Sequence, residues 1–479
     1  MPSATNSAQP GFQFFNVIGG KSRSAEEVHQ VVDPRTEENL WDVPVATAKD
    51  LDDAVEAGLT AFKSWRKSTN ADRRDLLLAV RQNMLDNVDE LSTILMKETG
   101  KSRLMAQVEV ERAAFHFEYY ADVQLEDEVQ FEDADIKIIA THAPYGVIAA
   151  ISPWNFPLIL SAVKIASALA TGNCVIIKPS PFTPYTIMKA CEFAQSVVPP
   201  GVYQVLNGGA DLGEQLTLHP GISHISFTGT TNVGKRIMQN ASKTLKKVLL
   251  ELAGNDAAII CEDVDLAEVV SKVAGGCLFH AGQVCVASKR IYVHDSIYDR
   301  FLEMLKEEIK KYAITEDPMA PAVFSPLSNK VNYDRCMGII EDCKKNNYNI
   351  VAGGETLSDK KGFWIAPTIV SKPPEDSFLV AEEQFGPVIP LLSWTDEADV
   401  IARSNLDNAG LGASVYTPDL TRAQRIAKQL ESGTVWINMS ERPHHAGWFA
   451  GQKLSGVGGE MGKQGLLSYC HTQSIQIAK

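Results

Sequence analysis

The spacing of hydrophobic and polar positions divides the chain into a helical first part and a longer part of alternating elements. Residues 48–66 repeat apolar side chains at helical spacing, which predicts an amphipathic helix, and a long helical region follows from about residue 71 to 120. Residues 126–146 mix aliphatic side chains with charges and predict a hairpin or an extended arm. Residues 48–120 are therefore expected to be mainly helical and to be followed by an arm.

From Gly146 the pattern alternates between short apolar runs and helical segments. Predicted strands cover 147–151, 173–178, 202–206, 224–227 and 247–252, and predicted helices cover 157–170, 185–197 and 232–241. Strands at 255–260 and 290–293 begin a second stretch of the same kind, which extends to about residue 435. Repeated β-α units predict a parallel sheet with right-handed connections.

Composition and charge narrow the class of protein. The 479 residues favour two or three domains, and 45% hydrophobic with 22% charged residues is ordinary for a globular protein. The net charge of −14 disfavours phosphate backbones and anionic lipid, so neither a nucleic-acid nor a membrane partner is predicted. The longest apolar stretch, 145–177, is interrupted by prolines, Asn155 and Lys164, which predicts core elements and not a membrane span. Neither end of the sequence reads as a secretory or peroxisomal signal, so we expect a cytoplasmic protein.

The eight cysteines form no CxxC pair and most lie in apolar runs, so neither a disulfide framework nor a metal site is predicted. Reduced thiols are expected, and one of them could be a nucleophile. Cys285 follows Gly282 by three residues, and a glycine at that place lets the backbone approach a substrate closely. A cysteine between two valines is nevertheless more often a buried structural residue. The segment alone leaves both interpretations open.

Two segments place carboxylates where they could act. Glu251 is the single charge in the apolar run 249–254, where burial would raise its pKa and favour a general base. It could equally be a strand-end carboxylate that caps a turn. Glu383 lies in an acidic turn beside Phe385 and a Gly-Pro pair, so it could bind ribose hydroxyls or simply be solvated.

Two turns could bind anions. Asn155 lies between aromatic residues in the turn 152–157, where its amide could stabilise an oxyanion or satisfy the turn backbone. In 227–234 a strand enters a Gly/Thr turn that opens a helix, which is the geometry of a phosphate site. This segment does not have the GxGxxG spacing, so by itself it is weak evidence for a dinucleotide.

Taken together and in this order, the motifs resemble those of the aldehyde dehydrogenase superfamily, from about residue 15 to 477. They are Pro-Trp-Asn-Phe-Pro at 153–157, Lys-Pro-Ser at 178–180, Phe-Thr-Gly-Thr at 227–230, Leu-Glu-Leu-Ala-Gly at 250–254, Gly-Gln-Val-Cys at 282–285 and Glu-Glu-Gln-Phe-Gly-Pro at 382–387. The resemblance implies an α/β fold with three parts. These are a Rossmann-like cofactor-binding domain (1–125 and 147–253), an α/β catalytic domain (254–464) and a small β oligomerisation arm (126–146 and 465–479). Because such an arm exposes strand edges, a homodimer or homotetramer is expected.

The resemblance also implies that the chain oxidises an aldehyde to a carboxylic acid with NAD or NADP. Cys285 would be the nucleophile that carries a thiohemiacetal and then a thioester, Asn155 would hold the oxyanion together with the Cys285 N–H, and Glu251 would activate the hydrolytic water. The implied cofactor-binding residues are Trp154, Lys178, Ser180, Gly229, Thr230, Gly234, Leu252, Gly254, Glu383 and Phe385. Pro181 stands where many NAD-preferring members carry a Glu that repels a 2′-phosphate, so the preference between NAD and NADP stays open.

The implied substrate tunnel is mostly apolar, which suits an aliphatic or aromatic aldehyde. Its residues are Phe156, Val163, Phe279, Val284 and Val286. The loop 439–445 is unusually polar for a tunnel mouth. One hypothesis is that Arg442 or a histidine of this loop holds a polar tail of the substrate, and the other is that the loop is only solvated.

Two rival functions are less well supported by the sequence. A CoA-acylating dehydrogenase would not need the hydrolytic base that Glu251 supplies. A silent family member that serves as a binding or structural protein would be expected to lose Cys285, Glu251 or Asn155, and all three are present. Ester hydrolysis by Cys285 without cofactor is a possible side activity.

Overall fold

The structure, a computed structural model, describes residues 11–355, 357, 360–440 and 442–479. The first elements are β1 (Asn16–Ile18), β2 (Lys21–Arg23), β3 (Val28–Val32), β4 (Asn39–Pro44), α1 (Ala48–Trp65), α2 (Asn70–Asp86), α3 (Val88–Thr99) and α4 (Arg103–Asp122). The predicted helix at 48–66 is confirmed as α1, and the long helical region consists of three helices. Gly100, with a φ of 73°, ends α3, and the Ser102 hydroxyl accepts a hydrogen bond from the Met105 N–H to begin α4.

The middle of the chain holds the arm and most of a first sheet. Its elements are β5 (Glu128–Glu132), β6 (Ile136–Pro144), β7 (Val147–Ile151), α5 (Pro157–Ala170), β8 (Cys174–Lys178), α6 (Tyr185–Ala194), β9 (Tyr203–Val205), α7 (Ala210–Leu218), β10 (His224–Thr228), α8 (Thr231–Ser242) and β11 (Lys247–Glu251). The predicted strands and helices of this region are confirmed. The bounds of α5 agree with the prediction at both ends, because proline begins the helix and Gly172 follows its last turn.

The rest of the chain builds a second sheet and then returns to the first. Its elements are β12 (Ala257–Ile260), α9 (Leu266–Leu278), β13 (Arg290–His294), α10 (Tyr298–Glu308), α11 (Lys330–Lys345), β14 (Asn349–Ala352), β15 (Thr368–Ser371), α12 (Phe378–Ala381), β16 (Val388–Trp394), α13 (Glu397–Ser404), β17 (Gly412–Tyr416), α14 (Leu420–Ala427), β18 (Thr434–Ile437), β19 (Phe449–Ala450), β20 (Gly456–Val457), β21 (Gly459–Glu460), α15 (Gly462–Leu467) and β22 (Cys470–Ala478).

The first sheet has the strand order β2-β1-β9-β8-β7-β10-β11-β20, and its five central strands are parallel. The second sheet has the order β14-β15-β16-β13-β12-β17-β18, and all its pairs except β14 with β15 are parallel. The parallel α/β architecture predicted from the sequence is confirmed. In parallel sheets, ligands bind at the carboxyl ends of the strands, and the segments 152–155, 178–180, 228–230 and 251–254 all follow such ends.

The predicted arm is an antiparallel sheet that stands apart from the two parallel sheets. The C-terminal strand β22 pairs with β6 over its whole length, and β6 pairs with β5. Val129 and Phe131 on β5 are each 50% exposed, and β5 is an edge strand. Among the described residues, no helix combines the length and the apolar character needed to cross a membrane.

Candidate active site

Cys285 follows an unusual stretch of backbone. His280, Ala281 and Gly282 have φ values of 50°, 54° and 74°, so a left-handed turn precedes the cysteine. A Cβ on Gly282 would lie 2.5 Å from the carbonyl oxygen of Gly386, so this place requires glycine. The Cys285 side chain is half-buried, and burial and the negative charge of Glu251 raise the pKa of its thiol well above the ordinary value. The resting thiol is therefore protonated at neutral pH and needs a base.

Glu251, the last residue of β11, is such a base. Its Oε1 lies 3.5 Å from the Cys285 Sγ, and its Oε2 accepts a hydrogen bond of 3.2 Å from the hydroxyl of Thr228 on the neighbouring strand β10. Burial, followed by the negative charge of Glu460, raises the pKa of the Glu251 carboxyl to about 7. A carboxyl with a pKa in this range exchanges protons readily near neutral pH, as a general base must.

Asn155 lies between β7 and α5 and is buried. Its Nδ2 donates to the carbonyl of Gln283, two residues before Cys285, at 2.9 Å. Its own carbonyl oxygen accepts a hydrogen bond of 2.6 Å from the Nζ of Lys101. The structure thus brings the three predicted catalytic residues together: Cys285 contacts Glu251, and Asn155 contacts the segment that leads to Cys285. The second amide hydrogen of Asn155 is left for another acceptor.

Most predicted phosphate and ribose contacts lie at the carboxyl ends of β7, β8 and β10. The Lys178 side chain is buried, and its Nζ donates to the carbonyl of Pro179 at 3.0 Å. Thr230 begins α8 without capping it through its side chain, so the first-turn N–H groups of that helix are available to an anion. A Cβ on Gly229 would lie 2.5 Å from the Phe227 ring, and a Cβ on Gly234 would lie 2.5 Å from Leu252 Cδ2. A buried cation and an uncapped helix beside glycines fit a dinucleotide.

A second group of predicted cofactor residues comes from the other sheet. Glu383 forms an ion pair of 3.1 Å with Lys289, whose Nζ also donates to the Cys285 carbonyl at 3.0 Å. Phe385, with a φ of 50°, meets the ring of Trp154 edge to face, with the ring centroids 5.3 Å apart. The turn 382–387 therefore reaches the predicted phosphate side through Trp154 and the nucleophile through Lys289.

Two of the predicted cofactor residues have a clear local role as well. A Cβ on Gly254 would lie 2.8 Å from the carbonyl oxygen of Cys285, so a glycine is needed where the backbone passes the nucleophile. Ser180 accepts a hydrogen bond from the Phe182 N–H at 3.2 Å, so its hydroxyl is engaged in its own turn.

The predicted tunnel residues fall into two neighbouring groups. Phe156 and Phe279 stack with their ring planes 7° apart and their centroids 6.0 Å apart. Val163 and Val286 belong to a buried cluster with Leu411, Trp436, Phe449 and Met461, against which Val284 and Cys285 pack.

Arg442 does not join these groups through its side chain. It is exposed and makes no side-chain hydrogen bond or ion pair with a described residue, while its carbonyl accepts a hydrogen bond of 3.2 Å from the Trp436 indole. Glu441, in the same polar loop, lies outside the described residues.

Comparison with known proteins identifies the family to which this chain belongs. Residues 21–475 match the model of the aldehyde dehydrogenase family. The chain belongs to that family. It is 41% identical to a putative aldehyde dehydrogenase, FUS7, from Gibberella fujikuroi, over 97% of this chain and 99% of the relative.

Two solved structures have the same fold. An NADP-dependent enzyme from E. coli is 33% identical, with a TM-score of 0.94 over 98% of both chains. Betaine aldehyde dehydrogenase from Staphylococcus aureus, solved as a point mutant in complex with NAD+, is 29% identical, with a TM-score of 0.92 over 97% of both chains. The chain is therefore an oxidoreductase that acts on aldehydes with a nicotinamide cofactor.

Several residues of this aldehyde dehydrogenase that matter to the site were missed by sequence reasoning. Lys164 forms a buried ion pair of 2.7 Å with Glu460, and the same Glu460 oxygen accepts hydrogen bonds from Ser226 at 2.8 Å and Tyr469 at 3.2 Å. The signal for Lys164 is visible in the sequence, since it interrupts an apolar helix, but by itself it indicates only that the segment is not a membrane span. Nothing local in the sequence marks Glu460 as its partner.

Proposed function

We propose that this aldehyde dehydrogenase oxidises its substrate to a carboxylic acid through a thiohemiacetal and a thioester on Cys285, which is hydrolysed with Glu251 as general base. The observation that carries the proposal is the 3.5 Å distance between the Cys285 Sγ and the Glu251 carboxylate at the carboxyl end of β11. The raised pKa of Glu251, about 7, supports it, because this carboxyl exchanges protons near neutral pH, and the raised pKa of the Cys285 thiol means that the thiol needs such a base.

The residues around Cys285 account for the proton that the thiol loses and for the oxyanion that forms on the substrate. Glu251 takes the thiol proton as the sulfur attacks the aldehyde carbon, and the free amide hydrogen of Asn155 with the Cys285 N–H stabilises the oxyanion. The bound nicotinamide supplies a hydride acceptor. Glu251 releases the thiol proton to solvent and then takes a proton from water as the water oxygen attacks the thioester carbon. It gives that proton to the Cys285 sulfur as the carbon–sulfur bond breaks. This sequence returns Cys285 and Glu251 to their starting states.

The cofactor would bind across the two groups of residues described above. Lys178 and Ser180 would hold the adenosine ribose, Trp154, Gly229, Thr230 and Gly234 would surround the phosphates, and Leu252, Gly254, Glu383 and Phe385 would surround the nicotinamide half. Pro181 brings no carboxylate toward a 2′-phosphate, so we expect both NAD and NADP to be accepted.

The substrate would reach Cys285 through the apolar tunnel of Phe156, Val163, Phe279, Val284 and Val286. The apolar walls support an aliphatic or aromatic aldehyde. If Arg442 holds a polar tail, Arg442→Ala will raise the KM of the best substrate. An unchanged KM for every good substrate would remove Arg442 from the site.

The assembly is expected to be a homodimer or homotetramer held through the arm, since the exposed edge of β5 presents unpaired backbone groups. The three-part division at residues 1–125 with 147–253, 254–464 and 126–146 with 465–479 is proposed with it. A cytoplasmic location stays a prediction.

The reaction is tested by following reduced nicotinamide over an aldehyde panel with NAD and NADP in parallel. Cys285→Ala is expected to abolish turnover, and Cys343→Ala, which removes a buried thiol at the end of α11, is expected to leave it unchanged. Glu251→Gln should slow both thioester formation and thioester hydrolysis, because the same carboxylate takes the proton of the thiol and later the proton of the water. Turnover that survives in Cys285→Ala would contradict the proposal. A Glu251→Gln variant whose steady rate needs added CoA would favour the CoA-acylating alternative.

A further inference from the structure

One stripe of α4 carries a cation among aromatic rings. Arg112, Phe115, His116 and Tyr119 are spaced three, four and seven residues apart, so they share one side of the helix. Phe115 and Tyr119 are half-buried, while the His116 side chain is buried and Arg112 is exposed at the end of the stripe.

The polar loop after β18 packs onto this stripe. The His445 ring lies edge to face against both Phe115 and Tyr119, with centroid distances of 4.7 Å in each case. His444 packs on His445 with the ring centroids 4.0 Å apart. Two rings of a helix thus hold one histidine of the loop in a fixed place.

The contact lies close to the nucleophile. The His445 carbonyl accepts a hydrogen bond of 2.8 Å from the Gly462 N–H, and the preceding residue, Met461, belongs to the buried cluster on which Cys285 packs. From the other side, the Trp436 indole of the same cluster donates to the Arg442 carbonyl. The loop that contacts the stripe is therefore joined through Met461 and Trp436 to the apolar cluster on which Cys285 packs.

Among the described residues, Arg112 has no acidic partner. The acidic residues of α4 have other partners: Glu109 pairs with Lys101, Glu111 accepts a hydrogen bond from Gln107, Glu118 pairs with Arg81, and Asp122 pairs with Arg74. Arg112 forms no ion pair with any carboxylate in the part of the chain that the structure describes. Arg112 can therefore pair with an anion from outside the chain.

His116 is the second polar group without a partner. Its side chain is 8% exposed, and its Nδ1 is buried without a hydrogen-bond partner among the described residues. Burial, with the positive charges of His445 and Arg112 nearby, lowers the pKa of His116 to about 4, so the ring is neutral at physiological pH and can donate one hydrogen bond. An acceptor with negative charge would satisfy both Arg112 and a histidine N–H.

We propose that Arg112, His116 and His445 form a subsite for a carboxylate at the far end of the substrate. The substrate class is then an aldehyde whose chain ends in a carboxylate, with an apolar middle that suits the predominantly apolar residues predicted to line the tunnel. This inference rests on the proposed function. It assigns the binding of the substrate tail to Arg112 and not to Arg442.

Paired substrates test it. A straight-chain aldehyde with a terminal carboxylate is compared with the terminal primary amide of the same length, which has the same shape without the charge. The wild-type enzyme should show at least about a tenfold higher kcat/KM for the carboxylate, and Arg112→Gln should remove that advantage through KM while leaving the amide within about twofold. Arg300→Gln, which removes an equally exposed cation on α10, should change neither. His445→Phe keeps the ring contacts with Phe115 and Tyr119 and should lose part of the carboxylate advantage.

A second measurement does not depend on turnover. Straight-chain dicarboxylates should slow the alkylation of Cys285 by iodoacetamide in the wild type but not in Arg112→Gln, and the matching diamides should protect neither. Equal use of carboxylate and amide, or an equal loss of both in Arg112→Gln, would overturn the subsite. Turnover of the amide in those cases would leave the proposed function intact, whereas absence of all Cys285-dependent turnover would refute the proposed function alone.

Discussion

Two buried lysine–glutamate pairs flank the reaction centre, and they differ in what they hold. Lys101 and Glu109 lie behind Asn155, and Lys164 and Glu460 lie behind Glu251. All four side chains are at most 2% exposed. Burying a charged pair brings little stability by itself, because the loss of hydration roughly offsets the attraction. Two such pairs beside one site therefore call for a functional explanation, and the contacts of each pair give a different one.

The Lys101–Glu109 pair holds backbone. Lys101 donates a hydrogen bond to the Asn155 carbonyl, and Glu109 accepts one from the Leu158 N–H at 3.1 Å. The pair therefore fixes the backbone on both sides of Phe156. The Lys101 ammonium also lies 4.0 Å from the centre of the Phe156 ring. This pair fixes the geometry of the turn that presents Asn155.

The Lys164–Glu460 pair contacts side chains only. Glu460 accepts from Ser226 and Tyr469, and one of its oxygens, Oε2, is buried without a hydrogen-bond partner among the described residues. Its negative charge raises the pKa of Glu251, and the positive charge of Lys164 lowers it. The Lys101–Glu109 pair therefore fixes the position of the Asn155 turn, and the Lys164–Glu460 pair sets the pKa of Glu251. Substitutions in the first pair should lower kcat, whereas substitutions in the second should shift the pH dependence of the rate.

The largest effect is expected from Lys101→Met. It leaves Glu109 buried without its cation, which should cost about 3–5 kcal/mol of unfolding free energy. It also frees the Asn155 turn, and a displacement of about 1 Å there should lower kcat about a hundredfold. Urea unfolding and steady-state kinetics measure the two effects.

Two further variants separate the roles. Lys101→Met with Glu109→Gln removes both charges and keeps an acceptor for the Leu158 N–H, so stability should largely return while kcat should not. In an Asn155→Ala background, Lys101→Met should cost little further kcat, because the residue through which it acts is gone. A full additional loss in that background would contradict the positioning role.

Substitutions in the Lys164–Glu460 pair should shift the pH dependence of deacylation and leave its maximal rate unchanged. Glu251 acts as a base only when ionised, so deacylation should fall on the acid side with a midpoint near its pKa of about 7. Glu460→Gln removes a negative charge and should move that midpoint down by about one unit, and Lys164→Met removes a positive charge and should move it up by a similar amount. The hydrolysis rate of the preformed thioester, followed against pH, measures both.

The control for this prediction is the variant with both charges removed. Lys164→Met with Glu460→Leu should bring the midpoint back toward that of the wild type, because the two opposite contributions leave together. Shifts of the two single variants in the same direction would show that local unfolding, and not charge, moves the profile.

The same contrast shows how far sequence reasoning reaches. The elements were predictable because hydrophobic spacing follows the period of the helix or strand, and α5 even begins and ends where proline and glycine predict. The approach of Asn155 and Glu251 is also understandable from the sequence, since parallel strands place their carboxyl ends along one edge. Cys285 precedes β13 of the second sheet, so this argument does not account for its position.

The two ion pairs were not predictable in the same way. Lys164 and Glu460 are 296 positions apart, and they meet only because the chain returns from the second sheet to add β20 and β21 beside β11. The left-handed backbone at His280 and Ala281 is equally hidden, because only a few per cent of non-glycine residues have a positive φ, even though histidine is enriched among them. Such features depend on tertiary contacts, which single-residue preferences do not encode.

The smallest effect that still separates electrostatics from packing is expected from Thr228→Val. The valine keeps the shape and the strand preference of threonine but removes the 3.2 Å hydrogen bond to the Glu251 Oε2. Since that bond stabilises the ionised carboxylate, its loss should raise the Glu251 pKa and move the acid side of deacylation up by about half a unit, in the same direction as Lys164→Met. Thr217→Val on α7, which also removes a buried hydroxyl, should leave the profile in place. A shift of the Thr228→Val profile toward lower pH would mean that the hydroxyl does not donate to the ionised Glu251, and the assignment of Glu251 as the titrating base would then have to be given up.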